Sequence, residues 1–346
     1  MNLVEDYLAN GDLSDAPVLL REFRPAGSVL VTPRYPDSRH VVILLLDESG
    51  DPRVVGKVVR RPDDRSTLAL EAGVLQSLGA GAEQITGVPR FLGFADHKEH
   101  WMLLETALTG QPLTHRDVRR HPTRAWRMVD DWICSLPVVS TTAECSGWFD
   151  DQIGSPVRIA RAVLQPSKLE QQLFRSTLDL LPELVSADLP VPIEHGDLSH
   201  PNLLVSRGGR IVNRRPELSV IDWETGRAAG LVGADAAVFL AFVAFAVDNA
   251  HGPDAEAVSY RREFLRDDGR GRRRLVRHLE RRGVDPGLVD LILLATWSRY
   301  ALSVFPRMSP DGQQHGDLDR VRFAREAFRA GRALRLWQLT LERIAG

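Results

Sequence analysis

The sequence predicts an α+β protein in which a small antiparallel sheet lobe is followed by a larger, mostly helical lobe. Three observations carry that expectation. The first hundred residues hold short apolar, β-branched runs separated by turn residues. Beyond Thr109-Gly110-Gln111-Pro112 the apolar residues recur mainly at helical spacing. The chain has 346 residues, enough for two domains or one two-lobed enzyme.

Each element has its own reason. Residues 28–32 form a first strand. Residues 41–46, a continuous run of Val, Ile and Leu, read as a buried strand. Glu48-Ser49-Gly50-Asp51-Pro52 is a turn, and residues 54–59 return as the second arm of a hairpin. Asp63-Asp64-Arg65-Ser66 is a helix start, after which Leu68, Leu70, Val74, Leu75 and Leu78 recur at near-helical spacing up to Gly79. Residues 91–94 and 101–105 are two more strands. Further on, helices are expected near 122–136, 155–181, 233–249, 256–282, 286–304 and 318–343, interrupted by strand-like pieces at 202–205 and 218–221. This organisation gives a first lobe at 1–105, a hinge at 106–112 and a helical lobe at 113–346, with a ligand-binding cleft expected between the lobes.

Composition excludes several classes. With 44 basic and 46 acidic residues the net charge is −2, which argues against a general nucleic-acid binder. The hydrophobic fraction of 43% is too high for a disordered chain. The most apolar run, 234–247, contains Asp235 and is too short to span a bilayer, so no membrane association is expected. The N-terminus lacks an apolar signal core, and Cys134 and Cys145 make no disulfide framework; free thiols in a reducing cytoplasm are expected. Only three of the 44 basic residues are lysines, Lys57, Lys98 and Lys168, so each lysine invites a specific explanation.

The segment richest in chemistry is Ile193-Glu194-His195-Gly196-Asp197-Leu198-Ser199-His200-Pro201-Asn202-Leu203-Leu204-Val205. Its core is His-Gly-Asp, four residues, then Asn, followed after an apolar strand by Ser219-Val220-Ile221-Asp222-Trp223-Glu224. Two carboxylates and an amide at the ends of short strands are what phosphoryl transfer requires: one carboxylate to orient a hydroxyl and accept its proton, and oxygen donors for a hard cation. In this order the motifs resemble the aminoglycoside phosphotransferase and choline kinase family, which has a bilobal protein-kinase-like fold; the resemblance spans roughly residues 29–245. It implies Asp197 as catalytic base, Asn202 and Asp222 as ligands of Mg²⁺, and His195 as support of the catalytic loop. A second copy of the string, His315-Gly316-Asp317-Leu318, has Arg322 where the amide belongs, with no strand and no Ile-Asp-Trp after it, and reads as a helix start.

The same resemblance implies a lysine on the third strand paired with a glutamate on the next helix. Lys57, in Val54-Val55-Gly56-Lys57-Val58-Val59, takes that place, with Glu71 as its partner and the α and β phosphates of ATP or GTP as its ligands. A lysine among valines in a half-buried strand needs an acidic or phosphate partner in any case. Residues 101–107 resemble the hinge strand, with Glu105 and Ala107 as backbone contacts to the nucleotide base and Met102 or Leu104 as a wall of its pocket. The phosphate loop, 32–40, has no glycine, and Pro33 and Pro36 cannot donate backbone hydrogen bonds. Ser38 or backbone amides hold the β phosphate in this reading. Asp235 either hydrogen-bonds the backbone of the catalytic loop, as in the family, or is a carboxylate at a helix N-terminus. Glu224 and Arg227 either face the site or are solvated loop positions.

The acceptor is the least legible part. Residues 254–346 hold 19 arginines against 13 acidic residues, with Arg272-Arg273-Arg274 and Arg281-Arg282 on a basic helix face that offers a surface to a partner protein. That balance tilts away from a polycationic acceptor and toward a neutral or anionic hydroxylated small molecule, or Ser and Thr of a peptide. Trp148-Phe149-Asp150-Asp151 either lines the acceptor site or anchors a loop through its tryptophan.

Overall fold

A computed structural model describes residues 2–31, 40–60, 65–80, 85–206, 217–305 and 318–346. The chain divides into two compact units, Met1–Pro112 with Pro201–Gly226, and Leu113–His200 with Arg227–Gly346. The division is discontinuous: residues 201–226, which carry Asn202 and Asp222, group with the first unit rather than with the residues on either side.

The first unit opens with two helices that sequence reading did not find, α1 (Leu3–Asn10) and α2 (Val18–Glu22). Asn2 caps α1 by accepting from the Val4 and Glu5 amides while Glu5 accepts from the Asn2 amide, a complete capping box. Eight residues are too few for a helix to persist alone, so packing holds it. Val4 and Leu8 of α1, with Leu20 of α2, bury against one face of a five-stranded antiparallel sheet. The strands are β1 (Gly27–Val31), β2 (His40–Leu46), β3 (Pro52–Val59), β4 (Phe91–His97) and β5 (His100–Thr106), in the order β1-β2-β3-β5-β4. Helix α3 (Arg65–Gly79) follows β3 and buries Leu68, Glu71, Val74, Leu75 and Leu78. Pairing of Leu203–Val205 with both Gln111–Pro112 and Leu218–Val220 gives a second, three-stranded sheet.

The second unit is helical, with one short strand pair, Val138–Thr141 and Pro190–Pro192. Its helices are α4 (His115–Arg120), α5 (Pro122–Ser135), α6 (Ser155–Leu164), α7 (Lys168–Leu180), α8 (Glu183–Ser186), α9 (Ala234–Asp248), α10 (Pro253–Phe264), α11 (Arg270–Arg281), α12 (Val289–Leu302), α13 (Leu318–Ala330) and α14 (Arg332–Ala345). Helix α9 is apolar on every side and buried from Ala234 to Ala246, as a central helix must be. Gly233 precedes it at φ +83°, where a side chain would lie 2.8 Å from Leu279.

Three expected long helices are broken. The 155–181 run stops at Gln165, which adopts a left-handed φ of 50°, and restarts with Ser167 capping α7. The 256–282 run breaks before Gly269, and the 318–343 run at Gly331, the cap residue of α14. Among the described residues no single helix is long and apolar enough to cross a membrane. Both cysteines are free.

Candidate functional site

In the first unit the site is built on one face of the sheet. Side chains alternate along a strand, so Val55 and Lys57 point away from the core that Val54 and Val58 enter. Register extends that face across neighbouring strands. Lys57 lies opposite Val42 and Leu103, Val59 opposite His40, and Val55 opposite Glu105. His40, Lys57, Leu103 and Glu105 therefore share one face.

Lys57 is only 4% exposed. Its Nζ is 2.5 Å from Glu71 Oε1, 3.5 Å from Asp222 Oδ1 and 3.9 Å from Glu105 Oε1. Burial disfavours the ammonium, but Glu105, Glu71 and Asp222 outweigh it and hold Lys57 well above the ordinary lysine value. Glu71 Oε1 also accepts the Trp223 amide at 3.0 Å, tying helix α3 to the Ile-Asp-Trp turn. Asp222 itself sits at φ +67°, a region that costs a non-glycine residue energy and is held here by its neighbours. The Ile221 amide donates to the Asn202 carbonyl at 3.0 Å, and Trp223 Nε1 donates to the Val220 carbonyl at 3.2 Å. Lys57, Glu71 and Asp222 thus come together, with the backbone of Asn202 one hydrogen bond away.

The Glu105 side chain faces Lys57, and its Oε2 has no hydrogen-bond partner among the described residues. Burial, reinforced by Glu71 and Asp222 and only partly opposed by Lys57, pushes this carboxyl up to about 8. The folded chain keeps that proton where an unfolded one, with an ordinary value of 4.5, has released it. Between those values the folded state binds more protons, so stability falls as pH rises through the window. Glu105→Gln should lower that slope by up to one proton in denaturant melts taken across the same range; an unchanged slope would place the ionisation elsewhere.

The second unit holds the His-Gly-Asp segment. Asp235, at the start of α9, accepts the His195 amide at 2.8 Å and the Gly196 amide at 2.9 Å through its two oxygens. Burial and the neighbouring Glu194 carboxylate push Asp235 up to about 7, against these two hydrogen bonds. Gly196 is at φ +81°, the conformation that turns the loop. The Asp197 amide donates to His195 Nδ1 at 3.3 Å, and His195 is fully buried. Asp197 Oδ1 accepts Ser199 Oγ at 3.2 Å and Tyr300 Oη at 2.8 Å. Asp235→Ala would strip both acceptors and leave two amides unpaired. It should destabilise the protein by roughly 1–3 kcal/mol for each, with faster amide exchange at His195 and Gly196; unchanged exchange there would contradict it.

Sequence reading missed Glu194, Arg299 and Tyr300. Glu194 Oε2 meets Arg299 at 2.7 Å and the Leu231 amide at 2.7 Å, while Arg227 lies 3.7 Å from Oε1. Burial would raise Glu194, but Arg299 and Arg227 hold it below the ordinary range. The signal was present: an arginine in the otherwise apolar stretch of α12 and a glutamate between Ile193 and His195 each demand a buried counter-ion. Tyr300 follows Arg299, so two consecutive residues of α12 grip the loop at Glu194 and Asp197.

One expectation needs correction. Met102 does not wall a pocket on the face of Lys57: it is fully buried with Val4, Leu8 and Leu104 in the core on the opposite face, because it is one residue out of phase with Leu103. The Ala107 amide donates to the Arg53 carbonyl at 3.0 Å, which continues the strand pairing. Ser38 and the second His-Gly-Asp copy at 315–317 lie outside the described residues. Trp148 is a loop anchor, 2% exposed with Nε1 donating to the Gly230 carbonyl at 3.1 Å. Residues of the arginine runs have partners inside their own unit. Arg272 forks onto Asp290, Arg281 pairs with Asp130 and Asp131, and Arg273, Arg274 and Arg282 bond Asp268, Thr123 and Cys134.

No protein-family model matches the chain, and no curated protein is similar to it in sequence. Solved structures do match. An ethanolamine kinase from Plasmodium vivax is 12% identical, with 91% of this chain and 84% of that one covered, at a TM-score of 0.52. The aminoglycoside phosphotransferase APH(4)-Ia is 15% identical over 93% of this chain and 96% of that one, also at 0.52. A thermostable mutant of that enzyme, in ternary complex with ADP and hygromycin B, matches with the same identity and coverage at 0.51. These similarities, with the antiparallel sheet and the helical unit described above, show that the chain has the α+β protein-kinase-like fold that the aminoglycoside phosphotransferases and ethanolamine kinase share.

Proposed function

We propose that the chain is a phosphotransferase that moves the γ-phosphate of ATP or GTP to a hydroxyl group of a small molecule. The observation that carries this reading is the pair of constellations above: Lys57 fixed by Glu71 beside Asp222 in one unit, and Asp197 fixed by Tyr300 and Ser199 in the other. The fold supports it, and one of the similar structures is described in complex with ADP and hygromycin B.

Lys57 binds the α and β phosphates, and Glu71 keeps it oriented in their absence. Asp197 orients the acceptor hydroxyl and takes its proton as the new P–O bond forms. Asp222 and Asn202 fit a hard divalent cation, since both offer oxygen and the Asp222 side chain is 41% exposed beside an otherwise buried cluster. Mg²⁺ bound there supplies neutralisation of charge on the β and γ phosphates. His195 and Asp235 hold the loop that carries Asp197. The nucleotide end is accordingly residues 1–105 with the 201–226 segment, 106–112 act as the hinge, and the acceptor end is the helical remainder.

The test is to incubate the chain with ATP or GTP and Mg²⁺ against amino alcohols, amino sugars and hydroxylated peptides, reading nucleoside diphosphate and the acceptor's gain of one HPO₃ by mass. Diphosphate release that depends on one of the small molecules supports the reading. Modification of Ser or Thr in a peptide alone would move the acceptor class. Binding of nucleotide without transfer to any acceptor would contradict it.

A further inference from the structure

We propose that His40, Asp222 and Glu224 form a binding site for a divalent transition-metal ion, in which an imidazole joins two carboxylates. The ligating atoms of these three residues all lie within 4.8 Å of one another. Ligands on opposite sides of one ion stand about 4 Å apart when each bond is about 2.0–2.2 Å, so shifts of less than an ångström close the set.

Each ligand is held by a different part of the first unit. His40 is the first residue of β2, and its pairing with Val59 puts it on the face that carries Lys57. Asp222 is set by its left-handed backbone and by the Trp223 amide bound to Glu71. Glu224 follows two residues later in the same turn.

The donor chemistry selects the ion. Mg²⁺ prefers six oxygens in a near-ideal octahedron and sheds water reluctantly. One imidazole nitrogen with two carboxylates suits Zn²⁺ better, and Mn²⁺, which takes the same carboxylate oxygens, can occupy the set; this is a second way for Asp222 to bind an ion, apart from the Mg²⁺ that it would hold with Asn202. This deepens the reading of Asp222 as a metal ligand and rests on it, but it does not depend on phosphoryl transfer.

Mn²⁺ serves as the probe, added to metal-free protein without nucleotide or acceptor. The wild-type chain should take up one Mn²⁺, and pulsed electron paramagnetic resonance should show nitrogen coupling from a bound imidazole. His40→Ala should abolish that coupling and weaken Mn²⁺ by about tenfold or more, with circular dichroism unchanged. Glu224→Gln should weaken Mn²⁺ while the nitrogen coupling stays. No uptake, uptake without nitrogen coupling in the wild type, or unchanged affinity in folded His40→Ala would each overturn the proposal. Transfer measured separately keeps the two readings apart: turnover without nitrogen coupling removes the imidazole site and leaves the kinase, and nitrogen coupling without turnover does the reverse.

Discussion

Replacing Asp197 by asparagine should lower phosphoryl transfer by about 10²–10⁴-fold, the range typical of losing a positioned general base, while nucleotide binding persists. The substitution is close to isosteric. Its amide oxygen can still accept from Tyr300 and Ser199, the two donors that now reach Oδ1 at 2.8 and 3.2 Å, so the loop keeps its shape. What is lost is the capacity to take a proton. A fall in the acceptor-dependent rate with nucleotide affinity retained would fit that role. Equal loss of both would make Asp197 a structural residue, and full activity would remove it from the chemistry altogether.

The largest stability effect is expected at Lys57. Glu71 and Glu105 are 1% and 3% exposed, and Lys57 is the cation that faces them both. Lys57→Met keeps the volume but leaves the buried Glu71 carboxylate without its counter-ion, which typically costs about 3–5 kcal/mol. In its proposed role Lys57 binds the phosphates, so nucleotide binding should fall with it. Adding Glu71→Gln separates the two consequences. The amide oxygen can still accept the Trp223 amide that Glu71 now holds at 3.0 Å, and one uncompensated charge disappears. The double variant should therefore recover much of the stability but none of the nucleotide affinity. Strictly additive losses would mean that Lys57 and Glu71 do not act as a pair. Denaturant melts and nucleotide titrations on the four proteins of the cycle decide this.

The proposed catalytic segment stood out in the sequence because its chemistry is local. His195, Gly196, Asp197 and Asn202 sit in one string, and Asp222 follows after one short strand, so residue types and spacing alone point to the reaction class. The β-hairpin and the helix carrying Lys57 and Glu71 were legible for a similar reason: a lysine among valines and a glutamate on an apolar helix both need partners. Facing was less readable. Met102 and Leu103 differ by one position, and only the register against Lys57 shows that Leu103 shares its face while Met102 enters the core. Helix α1 has eight residues and depends on the sheet beneath it, so its own sequence carries too little signal. The grip of Arg299 and Tyr300 on Glu194 and Asp197 spans more than a hundred residues. Unpaired polar residues in an apolar stretch announce that a partner exists, but the fold alone says which one. In the basic runs at 272–274 and 281–282, Arg272 and Arg281 meet acids within the same unit, pairings that the sequence does not announce.

The central claim is that this chain transfers a phosphoryl group to a hydroxyl with Asp197 as the base. The most direct test uses ATP labelled in its γ-phosphate, with wild-type and Asp197→Asn protein side by side, and isolates the phosphorylated acceptor. The account predicts label in a phosphate monoester of a hydroxylated small molecule with the wild type, and a signal lower by orders of magnitude with the variant although both bind the nucleotide. Nucleotide binding by the wild type with no label in any acceptor, or equal labelling by the two proteins, would contradict it.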